Sequence, residues 1–141
     1  MQKIHFYSVD RRPVLTQRKK IKLFIEKLFL NEKKELCNLS FIFCSDNYLL
    51  GINNDFLKHD FYTDVITFDL SSVKNKVEGE VYLSIDRIKD NAKQMGISFN
   101  NELHRVVFHG VLHLCGYKDK KKEQAIIMEF MEDKYLGLYF K

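Results

Sequence analysis

The sequence has no tryptophan, one proline and six glycines. With so little proline and glycine there is no flexible or proline-rich linker, and no segment is repeated or low in complexity, so nothing divides the chain. No apolar run approaches the roughly 20 residues that cross a bilayer. The opening MQKIHFYSVDRR reaches Asp10, Arg11 and Arg12 too soon to hold the apolar stretch of a secretion signal. Cys37, Cys44 and Cys115 are odd in number and form no Cys-x-x-Cys pair, which argues against a disulfide scaffold and a cysteine-quartet metal site. They read as small buried hydrophobes in a reducing compartment, so a cytoplasmic protein away from membranes is expected. A glycine-rich phosphate loop and a nucleophile elbow are also missing, which sets aside nucleotide hydrolases, a nucleotide cofactor and serine hydrolases.

Among the 141 residues, 45% are hydrophobic, with twelve Phe and seven Tyr, enough to bury one core. Residues 1–141 are therefore expected to form a single domain. The net charge is only +4, but the cations cluster: Arg11 with Arg12, Arg18 to Lys22, Lys33 with Lys34, and Lys118 with Lys120, Lys121 and Lys122. Taken singly, each cluster is accounted for by the solvated face of a helix; together they suit a polyanionic partner.

Alternation in KIHFYSV predicts a first strand, and Ile21, Phe24, Ile25 and Leu28 at helical spacing predict a helix from about Val14 to Leu30. LSFIFCS reads as a second strand. DNYLLGINNDFL reads as a helix capped by Ser45 or Asp46, and KHDFYT as a polar turn. DVITFDL and GEVYLSI are β-branched and aromatic runs joined by the lysine-rich SSVKNKVE, as in a hairpin. Three helices are expected after them: about Ser84 to Met95, Asn100 to Cys115, and Lys120 to Leu136, the last with Ile127, Phe130, Met131 and Leu138 on its apolar stripe. The fold class is α+β, a small mixed sheet of about four strands covered by helices.

The chemistry concentrates in VVFHGVLHLCGYKDKKKEQ. His109 and His113 are four apart on one helix face, the spacing that lets two imidazoles reach one cation, and Arg105 lies one turn earlier on that line. Gly116 just past the helix permits a left-handed turn that returns Tyr117 to Asp119 over the helix end and brings a third ligand within reach. The order His109-x3-His113-x2-Gly116-x2-Asp119 matches the layout of the zinc peptidase motif His-Glu-x-x-His-x-x-Gly-x-x-His, but Gly110 stands where a peptidase needs its general-base glutamate. Cys115 is on the wrong side of the helix to be a ligand. Two alternatives stay open on these residues alone: ordinary partly buried histidines, and Asp119 as the N-cap of the last helix, with Asn100 capping the one before it.

HGVLHLCGYKD resembles the signature His-Gly-x-Leu-His-Leu-x-Gly-Tyr-Asp-His of the YbeY endoribonucleases. INNDFLKHDFYTDVITF is similar to that family's upstream pattern Leu-Asn-x-x-Tyr-Arg-x-x-Asp-x-Pro-Thr-Asp-Val-Leu-Ser-Phe, and GEVYLSIDRIKDNA to the segment after it. The resemblance implies one zinc per chain, held by His109, His113 and, at the position where the common pattern has histidine, Asp119. It implies a metal-dependent cut in single-stranded RNA, maturation of the small-subunit rRNA 3′ end, clearance of defective ribosomes, and the ribosome or its small subunit as partner. Leu57 stands where the pattern has an arginine thought important for cleavage, and Tyr62 where it has proline. Lys58, His59 and Arg105 are candidates to supply the missing charge. Lys118, Lys120, Lys121 and Lys122 are candidates to meet RNA phosphates, the last three falling in the first turn of the final helix, where cations oppose the dipole unless the helix starts later. Two rival readings are a zinc peptidase, which Gly110 disfavours, and a non-catalytic ribosome-assembly module braced by zinc, to which Leu57 lends weight.

Overall fold

A computed structural model describes residues 2–59 and 61–141; Asp60, within the expected polar turn, lies outside them. The elements run β1 (Ile4–Ser8), α1 (Arg18–Asn31), β2 (Glu35–Cys44), α2 (Asp46–Leu57), β3 (Val65–Asp69), β4 (Lys76–Ser84), α3 (Ile85–Met95), α4 (Phe99–Leu114) and α5 (Lys122–Tyr139). The sheet order is β1-β2-β4-β3. β1 pairs parallel with β2 and β2 parallel with β4, while β3 and β4 form the expected antiparallel hairpin, from Val65 opposite Leu83 to Asp69 opposite Gly79. The fold is thus α+β with a mixed four-stranded sheet, and β3 is an edge.

Side chains alternate across a strand, and this divides the hairpin between two cores. Val81 and Leu83 join Leu39, Phe41 and Phe43 and the helical Leu103, Val107 and Val111 in the main core. Ile66, Phe68 and Tyr82 pack instead with Leu49 and Ile52 of α2 and with Cys44. α4 is buried on most of its circumference, as a helix wedged among β3, β4, α3 and α5 must be.

Several boundaries differ from expectation. α1 begins at Arg18 rather than near Val14, because Leu15 is buried from the extended segment before the helix. α4 is capped by Ser98, not Asn100: the Ser98 hydroxyl accepts from Asn101 N–H at 3.0 Å. α5 starts at Lys122 behind the N-cap Lys121, whose N–H donates to the Gln124 side chain at 3.1 Å. Asp119 is therefore not the cap, and of the three lysines only Lys122 lies within the helix, which largely removes the conflict with the dipole. The stripe expected on α5 is also displaced. Met128, Met131, Tyr135 and Tyr139 are buried, whereas Ile127, Phe130 and Leu138 are exposed. The helix has apolar residues on more than one side, and docking against its neighbours chooses the phase.

Gly110 is the contact point of α4 with the sheet. A Cβ there would lie 2.7 Å from Val81 Cγ1 and 3.4 Å from Thr67 Oγ1, too close for an unshifted core. Gly110→Ala is expected to cost about 1–3 kcal/mol in equilibrium unfolding, by overpacking. Val81→Ala should recover much of that loss in the double variant, and strictly additive effects would refute the contact.

His104 supplies a pH dependence. It is buried, stacks on Tyr139 with ring centroids 4.8 Å apart, and its Nδ1 lies 2.7 Å from the Asn100 carbonyl. Burial lowers its pKa, partly opposed by the Asn100 carbonyl. Below the ordinary value near 6.5 the unfolded chain takes up a proton that the folded chain refuses, so this residue's stability contribution is complete above about pH 6.5 and is lost as pH falls through the lowered folded value. Chemical denaturation from about pH 7 down to about pH 5 should show a shallower decline for His104→Phe than for the native sequence.

Candidate metal centre

α4 ends in a left-handed turn at Gly116, with φ 106°, a conformation only glycine adopts without strain. Gly116 N–H donates to the His113 carbonyl at 3.0 Å and Tyr117 N–H to the Leu112 carbonyl at 3.1 Å, closing the helix and folding the chain back over it. Tyr117 is then held at both ends. Its hydroxyl donates to Glu32 at 2.7 Å, and its carbonyl accepts from His113 Nδ1 at 2.9 Å. Burial, reinforced by Glu32, pushes the Tyr117 phenol up to about 12, so it remains a donor.

His109 is oriented from the opposite side. Its Nδ1 lies 2.5 Å from Glu132 Oε2 on α5, whose other oxygen accepts from Arg105 Nη1 at 2.9 Å. Arg105 in turn forks onto Glu102 through Nε at 2.8 Å and Nη2 at 2.6 Å. Both carboxylates are buried. Two carboxylates against one guanidinium leave an excess negative charge beside His109. Burial alone would lower the His109 pKa, but Glu132 first, then Asp119 and Asp64, outweigh it and raise the value. In the same way burial works against Arg105, and Glu102 and Glu132 more than offset it, holding the guanidinium charged.

With each Nδ1 facing an acceptor, the neutral form of each ring carries its lone pair on Nε2, and the two Nε2 atoms lie 3.0 Å apart. Asp119 Oδ2 is 3.3 Å from both. Three lone-pair donors facing one point repel one another unless a cation lies between them. Two imidazole nitrogens and one carboxylate oxygen form a donor set that suits zinc and related divalent ions, so these residues fit a metal. Cys115 is not among them; burial pushes its thiol up to about 12, away from the thiolate that binds metals.

The donors open onto a cavity of about 650 Å³. Edge strand β3 forms one wall, with Thr67 and, just before the strand, Asp64, and the end of α2 contributes Leu57. Thr67 Oγ1 is the buried side-chain polar atom that lacks a protein partner among the described residues. Of the residues considered for phosphate, His59, Lys118 and Lys120 line the cavity, while Lys121, Lys122 and Lys58 are exposed outside its lining. Arg105 also lies outside it, with its side-chain bonds on Glu102 and Glu132. Gly110 faces Val81, so a glutamate at that position would run into the sheet, and the arrangement offers a peptidase no general base there. Glu132 and the Tyr117 carbonyl escaped the sequence analysis. Glu129, Glu132 and Asp133 are indistinguishable until docking sets the phase of α5, and a backbone acceptor leaves no trace in residue type.

The family model described as Endoribonuclease YbeY matches residues 8–139. The Endoribonuclease YbeY of Cytophaga hutchinsonii is 48% identical over 135 residues, covering 96% of this chain and 94% of that protein. The Endoribonuclease YbeY of Flavobacterium psychrophilum is 44% identical over 116 residues, covering 82% of each. Among solved structures, the solution structure of TM1509 from Thermotoga maritima aligns with a TM-score of 0.61 and 27% identity, covering 97% of this chain and 89% of that one.

Two variants separate the orienting groups from the candidate ligands. Glu132→Gln keeps an acceptor for His109 but loses its charge, and divalent-metal affinity, read by chelator competition, should fall about 10–100-fold. Asp119→Ala removes a partly exposed group outside any cap, so its unfolding free energy should stay within about 0.5 kcal/mol of the native value while metal binding is largely lost. Full metal retention by Asp119→Ala would refute its place in the donor set.

Proposed function

The chain belongs to the YbeY endoribonuclease family, and from that premise we propose that it is a zinc-dependent nuclease that cuts single-stranded RNA in the cytoplasm. As a member of that family it is an endoribonuclease, a hydrolase of RNA phosphodiester bonds with a place in rRNA processing. The finer reading is maturation of the small-subunit rRNA 3′ end and clearance of defective ribosomes, with residues 1–141 acting as one catalytic domain on the ribosome or its small subunit.

The observation that carries the proposal is the convergence of three lone-pair donors at the wall of an open cavity. His109 Nε2, His113 Nε2 and Asp119 Oδ2 would hold the zinc. Bound there, the ion supplies a Lewis acid for a phosphate oxygen and acidifies a water. Glu132 and the Tyr117 carbonyl keep both imidazoles in the tautomer that presents Nε2. Lys118 and Lys120, on the cavity wall, draw in the phosphodiester backbone with sequence-independent, salt-sensitive affinity. Asp119 would lower the net charge of the ligand set relative to three imidazoles, so a zinc held there would acidify water less than with histidine at that position.

One observation favours a second reading, a zinc-braced assembly module that binds RNA without cutting it. Leu57, at the position of the family arginine, lines the cavity and brings no charge to a phosphate. The readings part in a single assay on a labelled single-stranded rRNA fragment. The nuclease cuts it, stops with chelator, resumes with zinc, loses activity in His109→Ala and leaves unstructured peptides intact; the module binds the fragment and leaves it whole. Asp119→His should keep the metal and, because the ligand set loses an anion, shift the pH-rate profile to lower pH.

A further inference from the structure

α2 ends at Leu57, and Lys58 then takes the left-handed conformation, φ 59°, turning the chain along the cavity rim. Asn53 pins both sides of this turn. Its carbonyl accepts from His59 N–H at 3.2 Å, and its side-chain amide donates to the Phe61 carbonyl at 2.9 Å. Asn53 is only 1% exposed, so the turn is anchored from within the fold. The two rings it presents are already stacked, with centroids 5.1 Å apart and planes 21° from parallel. Both line the same cavity as His109, His113 and Asp119, yet Phe61 is 57% exposed.

We infer that His59 and Phe61 form a stacking shelf for one unpaired nucleobase of the RNA strand entering the metal cavity. Three features select a base rather than a phosphate as the occupant. The exposed surface is aromatic, which every nucleobase can stack on and to which a phosphate offers nothing. Leu57, the neighbouring lining residue on α2, is apolar. The lysines that line the cavity, Lys118 and Lys120, follow α4 near the donors, so charge for the backbone and aromatic surface for the base come from different segments. A base held in a duplex cannot present its face to a side chain, so the shelf also supplies a reason for single-strand selectivity. Purines, with the larger face, should be held more tightly than pyrimidines. The inference rests on the ribonuclease reading and deepens it.

The test uses the full zinc-loaded chain with oligoadenylate, oligouridylate and inorganic polyphosphate, the last carrying backbone charge without bases. Phe61→Ala should weaken oligoadenylate binding by roughly five- to a hundredfold, the range of base–aromatic stacking. It should narrow the preference over oligouridylate and leave polyphosphate affinity, zinc content and the slope of log affinity against log salt unchanged, since no phosphate contact is lost. Phe61→Trp should restore oligoadenylate binding. Unchanged oligoadenylate affinity in Phe61→Ala, an equal loss for polyphosphate, or failure of Phe61→Trp to restore binding would overturn the shelf while leaving the nuclease intact. A native protein that neither binds nor cuts RNA would overturn the ribonuclease reading itself, and the shelf with it.

Discussion

Two imidazole nitrogens 3.0 Å apart, each with its hydrogen committed elsewhere, are the constraint around which this protein is arranged. In the neutral rings neither Nε2 can donate to the other, because the hydrogen of each is on Nδ1. The Tyr117 carbonyl holds one ring and Glu132 the other, so the site exists only when the turn after α4 and the body of α5 are both in place. α1 enters through its C-cap residue Glu32, which accepts from the hydroxyls of Tyr117 and Tyr135 and so ties that turn to α5. A pair of histidines on a single helix thereby becomes a property of three helices.

The chain Glu102–Arg105–Glu132–His109 is a costly way to hold one ring. Removing one partner from a buried ion pair typically costs about 3–5 kcal/mol, because the remaining charge is left uncompensated. The same excess of negative charge favours a cation at His109, so stability of the fold and readiness for metal come from one set of bonds. Asp119 is held differently. It is partly exposed and stands between α4 and α5, where nothing in the core depends on its shape. A carboxylate can therefore occupy a position that the common family pattern gives to histidine without disturbing the helices on either side.

Much of this was legible in the residues. The four strands, the hairpin of β3 with β4, the helix carrying His109 and His113, and the reversal at Gly116 each follow from periodicity or from the special backbone freedom of glycine, both local properties. What escaped was decided by docking. The buried stripe of α5 runs through Met128, Met131 and Tyr135 rather than Ile127 and Phe130, because a helix with apolar residues on two sides has no phase until a neighbour selects one. The caps at Ser98 and Lys121 each lie two residues from expectation: Ser98 is a second polar side chain able to cap α4, and at Lys121 the backbone N–H is met by Gln124 with no side-chain acceptor at the cap.

By itself the sequence determined which groups can bind a metal and in what order they arrive, since ligand chemistry belongs to residue type and the i, i+4 spacing belongs to any α-helix. It also placed a glycine where a peptidase would carry its base. Only the tertiary structure decided that Gly110 is the point where α4 rests on Val81, that Arg105 serves Glu132 and Glu102, and that Glu132 crosses from α5 to orient His109. The physical reason is distance along the chain. A hydrogen bond between residues 23 apart, His109 and Glu132, depends on how two helices cross, and that is set by the packing of the whole core rather than by any pattern within either helix.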